Sequence, residues 1–383
     1  MNSRPRVVLT GAGGYGRLYL EYMMIHDTGA DLVAVCDIDP HLSERVPLIR
    51  ERGLPVYHDL ESFFAHDTAD LAVLVAPVHF HTEMALTCLA HGVHVLCEKP
   101  LCLTEGEART LAEASRKAGR FLAVGYQLDY RRDVLALKKD ILAGRFGQPL
   151  GFTVYHGFRR GARYYARNDW AGHITCHGRE VFDSPFSNAC AHHFQMLTFL
   201  LGNTPDTACS LRDVQADLYR ANPGIENYDI AALRFHTQAG IPILYYTAHP
   251  IPSEYWGPVG VLEFENATIT YRGEEPVFQG VMADGTPFDY SHIHPGSHMQ
   301  KLLDAIQAVQ TGKAPVCGPG ADSAHIQAVR MVQEHPIYPV RSDLLEHVET
   351  EGDRFIFVKG LESTLAGCAE QRALPSELGI SLR

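Results

Sequence analysis

The sequence predicts an α/β chain, with a doubly wound parallel sheet at the N-terminus and a second α+β domain built on a large, open, mostly antiparallel sheet. Three observations carry this prediction. Short apolar runs alternate with helical patterns through the first third. A glycine-rich turn joins the first run to the first helix. The middle of the chain is a series of strands broken by Gly, Pro and Asn, with few helices between them.

In the first third, the apolar runs are 6–10 (RVVLT), 32–36 (LVAVC), 71–76 (LAVLVA), 93–97 (VHVLC) and 121–125 (FLAVG). Continuous apolar strands of this length suit a parallel sheet buried on both faces. Helical patterns fill 14–25, 82–90 and 104–118. The last opens with Thr104 and Glu107, the spacing of a capping box. Farther on, 150–158, 231–237, 242–249, 259–264 and 267–271 read as strands of an antiparallel sheet. Helices at 189–201 and 299–310 are stopped by Gly202 and Gly312. These patterns divide the chain into 1–126, a parallel-sheet domain; 127–338, an α+β domain; and 339–383, a polar C-terminal extension.

Composition narrows the function. The chain has 383 residues, 46% of them hydrophobic and 20% charged, enough for a large core. Its 45 acidic and 33 basic side chains give a formal charge of −12, which repels phosphate backbones and argues against nucleic acid. Nothing approaches the ~18 consecutive apolar residues of a membrane span. Residues 1–10 run straight into a strand without an apolar leader, so secretion is not expected. Nine cysteines, with no C-x-x-C pair, suit a reducing cytoplasm.

Gly11-Ala12-Gly13-Gly14-Tyr15-Gly16 is a G-x-G-x-x-G between strand and helix. There the glycines permit a tight turn, approach to a pyrophosphate and close helix–strand packing, the Rossmann arrangement. Asp37 ends the second strand, where a carboxylate accepts from a ribose diol and repels a 2′-phosphate. NAD is therefore expected rather than NADP. Cys97-Glu98-Lys99-Pro100 ends a strand at the ligand-binding edge of such a sheet. Lys99 there can donate to a substrate oxygen, or simply pair with Glu98 in solvent. His292, His294 and His298, or His173 and His177, raise the question of a metal, but no acidic or Cys partner completes a recognisable spacing and none is expected.

Together, the glycine motif, Asp37, Ala76-Pro77-Val78-His79-Phe80-His81 and Cys97-Glu98-Lys99-Pro100-Leu101 resemble the glucose–fructose oxidoreductase, inositol dehydrogenase and rhizopine-catabolism family, Gfo/Idh/MocA. Its usual T-P-N-x-x-H is matched at Pro77 and His81 but not at Ala76 and Val78. The resemblance covers the first domain and continues more loosely to about Val329, with 315–328 as a segment returning toward the first domain. It implies hydride transfer between nicotinamide and a hydroxyl or carbonyl carbon of a sugar, cyclitol or related polyol. It places Gly11, Gly13, Gly14, Tyr15, Gly16, Asp37, Ala76, Pro77, His81, Glu98 and Lys99 around the cofactor, with Lys99 also catalytic. The family's second-domain Asp and His, four residues apart before L-L-G, fall on Asn188 and His192. His192 is the expected proton acceptor, Asn188 its neutral neighbour, and His193 the alternative.

Tyr126, Tyr155, His156, Arg159, Tyr164 and Trp170, with His193, are the expected sugar contacts, although a Tyr- and Arg-rich sheet surface also suits a subunit interface. A homo-oligomer, dimer or tetramer, follows from an open sheet face in need of cover. Two alternatives share the resemblance: NAD-dependent glycoside cleavage through transient oxidation and elimination, and a non-catalytic dinucleotide sensor.

Overall fold

The computed structural model describes residues 4–383. Two compact units divide the chain. The first runs to Arg131 and adds Gly296–Ser323; the second comprises Arg132–Pro295 and Ala324–Arg383.

The first unit carries strands β1 (Arg6–Thr10), β2 (Asp31–Cys36), β3 (Val56–Tyr57), β4 (Leu71–Leu74), β5 (His94–Cys97) and β6 (Leu122–Val124). They form one parallel sheet in the order β3-β2-β1-β4-β5-β6. The order reverses beside β1, so the loops after β1 and β4 open a crevice at the carboxyl edge. Thr104 caps the helix Glu105–Ala118 through the expected box with Glu107, and Gly119 ends it in the left-handed region.

Two expected boundaries need correction. A break at 126/127 cuts off the turn Gln127–Tyr130, yet Tyr130 is buried and its hydroxyl donates to the Val124 carbonyl at 3.0 Å. Residues 296–323 belong with the first unit rather than the second. The helix Gln300–Thr311 puts Leu302, Ala305 and Ile306 into the core beneath the parallel sheet.

The second unit holds β7 (Pro149–Phe158), β8 (Thr175–Cys176), β9 (Arg179–Glu180), β10 (Leu211–Arg220), β11 (Ile230–Thr237), β12 (Pro242–Ala248), β13 (Tyr255–Phe264), β14 (Ala267–Arg272), β15 (Gln279–Met282), β16 (Pro287–Asp289), β17 (Ile337–Pro339), β18 (Leu345–Thr350) and β19 (Asp353–Val358). Nine of them make a mixed sheet, β16-β15-β14-β13-β7-β12-β11-β10-β17, antiparallel except at β7–β12 and β10–β17. Sequence patterning misses β10 because it is an amphipathic, charge-rich strand near the edge, with only Leu211, Leu218 and Tyr219 fully buried.

Strand alternation sends Phe152, Val154 and His156 to one sheet face and Thr153 and Tyr155 to the other. The first face packs the helix Ala191–Leu200, with Tyr245 donating to the Cys190 carbonyl at 2.5 Å. The second face is covered by residues beyond Pro339. Val358, Leu361, Leu365, Cys368, Leu374 and Leu382 close a core with Leu244, Tyr246, Ile230 and Trp256. The expected polar extension is therefore an integral layer. It also removes much of the bare sheet face from which a homo-oligomer was expected.

Candidate functional site

Each glycine of the first loop has its own reason. Gly11 has φ +72°, and a Cβ there would fall 1.8 Å from the Val75 carbonyl oxygen. A Cβ on Gly16 would lie 2.1 Å from the Gly11 carbonyl oxygen, so this glycine lets the helix Gly16–Ile25 begin against β1. Gly14 faces open space, and a Cβ on Gly13 would meet nothing nearer than 3.9 Å, which leaves room for a pyrophosphate.

Asp37 is half-buried at the end of β2, and its Oδ1 accepts the Asp39 amide at 3.0 Å. A Cβ on Gly13 would lie 3.9 Å from both the Asp37 carboxylate and the Arg45 guanidinium. Arg45 is ion-paired to Asp39. Sequence proximity did not reveal this arginine beside the loop. Asp37→Ala should weaken NAD by about 1.5–3 kcal/mol and narrow the gap to NADP, because the Asp37 charge that repels a 2′-phosphate is then gone while Arg45 remains nearby. Titrating both nucleotides into both proteins checks this; an unchanged ratio would remove Asp37 from the ribose site.

His81 does not line the crevice directly. It is buried, with Nδ1 2.8 Å from the Pro100 carbonyl oxygen and Nε2 2.7 Å from that of Ala76. Burial lowers its pKa, so the ring is neutral and donates to one of them. The residue straps the loop after β4 to the loop after β5. Pro77 leads into the turn Val78–Phe80 in the same loop.

Glu98 is buried, accepts from the Tyr19 hydroxyl at 2.6 Å, and ion-pairs with Lys301, which is fully buried. Burial alone would raise the Glu98 carboxyl; Lys301 in contact with it brings the pKa below the ordinary range. Sequence offered Lys99 as a partner of Glu98 only in the alternative reading; Lys301, distant in sequence, is in contact with the carboxylate, and the Lys99 charge adds to its pull. Glu98 Oε2 meets the Lys99 backbone amide at 3.2 Å, so the pair anchors the chain that presents Lys99. A Cβ on Gly125 would lie 2.9 Å from the Glu98 carboxylate, which accounts for that glycine. Tyr15 is partly exposed; its hydroxyl contacts His298 Nε2 at 3.0 Å and accepts from Lys301 at 3.4 Å.

Tyr126, expected to touch sugar, is fully buried and interacts with Asp322. Asp322 Oδ2 accepts the Leu101 amide at 2.9 Å, and burial raises its pKa from 3.8 to about 7. The folded protein thus keeps a proton that the unfolded chain releases. This group's contribution to stability is present below pH ~4 and lost as pH rises through ~7. Asp322→Asn should flatten that loss. Melting temperatures at pH 5 and pH 8 should fall less in the variant than in the parent; parallel curves would sink the assignment.

In the second unit, the expected helix 189–201 is two segments. Ser184 caps a wide π turn, Pro185–Ala189, and the α-helix Ala191–Leu200 begins after Cys190. Asn188 and His192 therefore do not sit on one continuous helix, and the i, i+4 argument for a shared face does not apply to them. Both are half-buried. Asn188 Nδ2 donates to Asp183 Oδ1 at 2.8 Å, and Asp183 also accepts the Gly172 amide at 2.7 Å. A buried carboxylate thus stands directly behind the asparagine. Phe182, just before it, has φ +47°, a conformation bulky side chains rarely adopt.

The expected sugar contacts separate. Tyr155 stacks on Trp256 at 4.7 Å, on the face the C-terminal layer covers. Arg159 pairs with Glu351 at 3.2 Å and lies over Phe355. Neither joins the others, because strand alternation points Tyr155 away from His156. Tyr164 lies between the Arg160 and Arg167 guanidiniums, and burial raises its pKa to about 12; Arg167 also covers Trp170. His249, missed from sequence, packs edge-on against Tyr164 and contacts the Tyr165 hydroxyl at 2.9 Å. Burial, with Arg160 and Arg167, keeps it neutral. His193 is buried and stacked on Tyr271, whose hydroxyl meets Nδ1 at 3.2 Å. His156 Nε2 contacts Glu274 Oε1 at 2.6 Å. Burial opposes its protonation, but Cys190 and Glu274 outweigh burial and raise it to about 9.

A glycine-rich turn with an acid at the end of the next strand, at the carboxyl edge of a parallel sheet, fits a dinucleotide-dependent oxidoreductase. Residues 5–126 match the Gfo/Idh/MocA profile, described as the oxidoreductase family with an NAD-binding Rossmann fold. An inositol 2-dehydrogenase of Pseudomonas savastanoi pv. phaseolicola is 32% identical over 325 residues, 83% of this chain and 90% of that protein. An inositol 2-dehydrogenase of Rubrobacter xylanophilus is 33% identical over 157 residues, 40% of this chain and 44% of the relative. Other curated relatives are likewise matched over about half their length. The crystal structure of the WlbA dehydrogenase from Bordetella pertussis, in complex with NADH and UDP-GlcNAcA, shares the fold with a TM-score of 0.73. The two are 20% identical, over 87% of this chain and 96% of that one. The chain belongs to the Gfo/Idh/MocA family, and its first unit is an NAD-binding Rossmann domain.

Proposed function

We propose that the protein oxidises a secondary hydroxyl of a cyclitol or sugar with NAD, or runs the reverse reduction. The buried Glu98–Lys301 pair is the observation that carries this reading, because it holds the backbone that bears Lys99 at the same carboxyl edge as the glycine loop. NAD supplies the hydride acceptor. Lys99 donates to the substrate oxygen and offsets charge as its proton leaves. His192 accepts that proton on a neutral ring nitrogen. Asn188 orients the reacting groups, and its bond to Asp183 holds it in place. That carboxylate also weakens the sensor alternative, whose support was the missing acid at 188.

The inositol dehydrogenases among the relatives support a cyclitol or sugar substrate. Nine free cysteines, eight of them buried, support residence in a reducing compartment. For self-association the exposed face of β14 and β15, with Thr268, Thr270, Gln279 and Val281, is the surface this reading assigns.

Screening inositols, sugars and sugar acids for NADH formation tests the reading. Lys99→Ala should bind NAD with nearly unchanged affinity and lose most turnover. Full activity in that variant would make Lys99 a bystander.

A further inference from the structure

We propose that His156, His193 and Glu274 form a divalent-metal site in the second unit, made of two imidazoles and one carboxylate. No sequence spacing announces it: the residues come from β7, the helix Ala191–Leu200 and the turn after β14. Ligand-capable atoms of all three lie within 4.8 Å of one another. The two imidazoles are buried, 1% exposed each, and meet edge to face with centroids 4.9 Å apart.

The surroundings select the ligating atoms. Tyr271 engages His193 Nδ1 and stacks on the ring, an outer partner that fixes the orientation and leaves Nε2 as the metal-binding nitrogen. His156 presents Nε2 toward Glu274. Bonds of ~2.0–2.2 Å require donors roughly 3.3 Å apart, so the site forms by a shift of the Glu274 carboxylate off its 2.6 Å contact with His156. Glu274 can supply it: its side chain is 45% exposed and sits on a turn rather than in a strand. Two nitrogens and a carboxylate suit zinc and neighbouring first-row ions. Three protein ligands leave coordination positions for water or for paired oxygens of a bound polyol. The alternative occupant is a proton shared by His156 and Glu274.

The test needs no turnover, so its outcome is independent of the dehydrogenase reading. Chelator-treated protein is titrated with Co²⁺, following visible absorption and metal content. One ion per chain is expected, with a band typical of nitrogen–oxygen ligation. Glu274→Gln changes a half-exposed side chain and should retain NAD binding as a check of folding, yet weaken Co²⁺ by roughly tenfold or more. Asp169→Ala disrupts the surface group Asp169, Cys176 and His177 and should leave Co²⁺ binding intact. No bound cobalt, equal affinity in Glu274→Gln, or loss in Asp169→Ala would each overturn the proposal and leave the proton-bridged ion pair.

Discussion

Replacing Lys301 with methionine is expected to cost about 3–5 kcal/mol of stability, because it strands an ionised carboxylate in the interior. Lys301 is wholly buried and the Glu98 side chain is 9% exposed, so solvent screens the pair little. The Lys301 ammonium also donates to the Gly125 carbonyl at 3.2 Å. Denaturant unfolding of the single variant and of Lys301→Met combined with Glu98→Gln distinguishes the cause. The double variant should recover much of the loss, since a neutral amide there carries no uncompensated charge. A single-variant loss below about 1 kcal/mol would show that Glu98 is not held as an anion. Turnover should fall along with stability, because Glu98 anchors the Lys99 amide.

His192→Ala is expected to lower turnover by roughly 10²–10⁴-fold, the usual worth of general-base assistance, while NAD binding stays near normal. On the proposed reading cofactor affinity rests on the glycine loop and Asp37, which this change does not touch. Asn188→Asp should not simply restore the family's acid. It would set a second carboxylate against Asp183 and lose a hydrogen bond of 2.8 Å, so one of the two acids would retain a proton. Near-normal turnover in His192→Ala would move the base elsewhere, with His193 the first residue to examine.

What the sequence revealed was local. Gly16 is dictated by Gly11 five residues before it, and the Thr104–Glu107 box spans a single turn; the glycine pattern also marked Gly11, although the Val75 carbonyl that requires it lies 64 positions on. Asp37 follows from its place at a strand end. The rest of the site is assembled over distance. Lys301 reaches Glu98 across 203 positions, and Glu274 reaches His156 across 118. Neither position carries a pattern that singles it out. Asp183 was only five residues from Asn188, yet it lay outside the register that compared the segment with an uninterrupted helix. Tyr155 and His156 show a different limit. Both belong to a strand legible in the sequence, but neighbours in a strand face opposite ways, and only the completed sheet shows which side is covered.

The covering layer also bears on how the chain matures. During synthesis the nine strands are available once Pro339 has emerged, but Ile230, Leu244, Tyr246 and Trp256 stay wet until residues 358–382 follow. At roughly 5–20 residues per second that interval lasts a few seconds, long for an apolar sheet face among other nascent proteins. A chain released before residue 345 would carry that face permanently, as a sticky surface of the kind chaperones retain. The helix Leu361–Gln371 thus covers a face that is otherwise open to aggregation, and damage to it should show first as lost solubility in the cell rather than as lost chemistry.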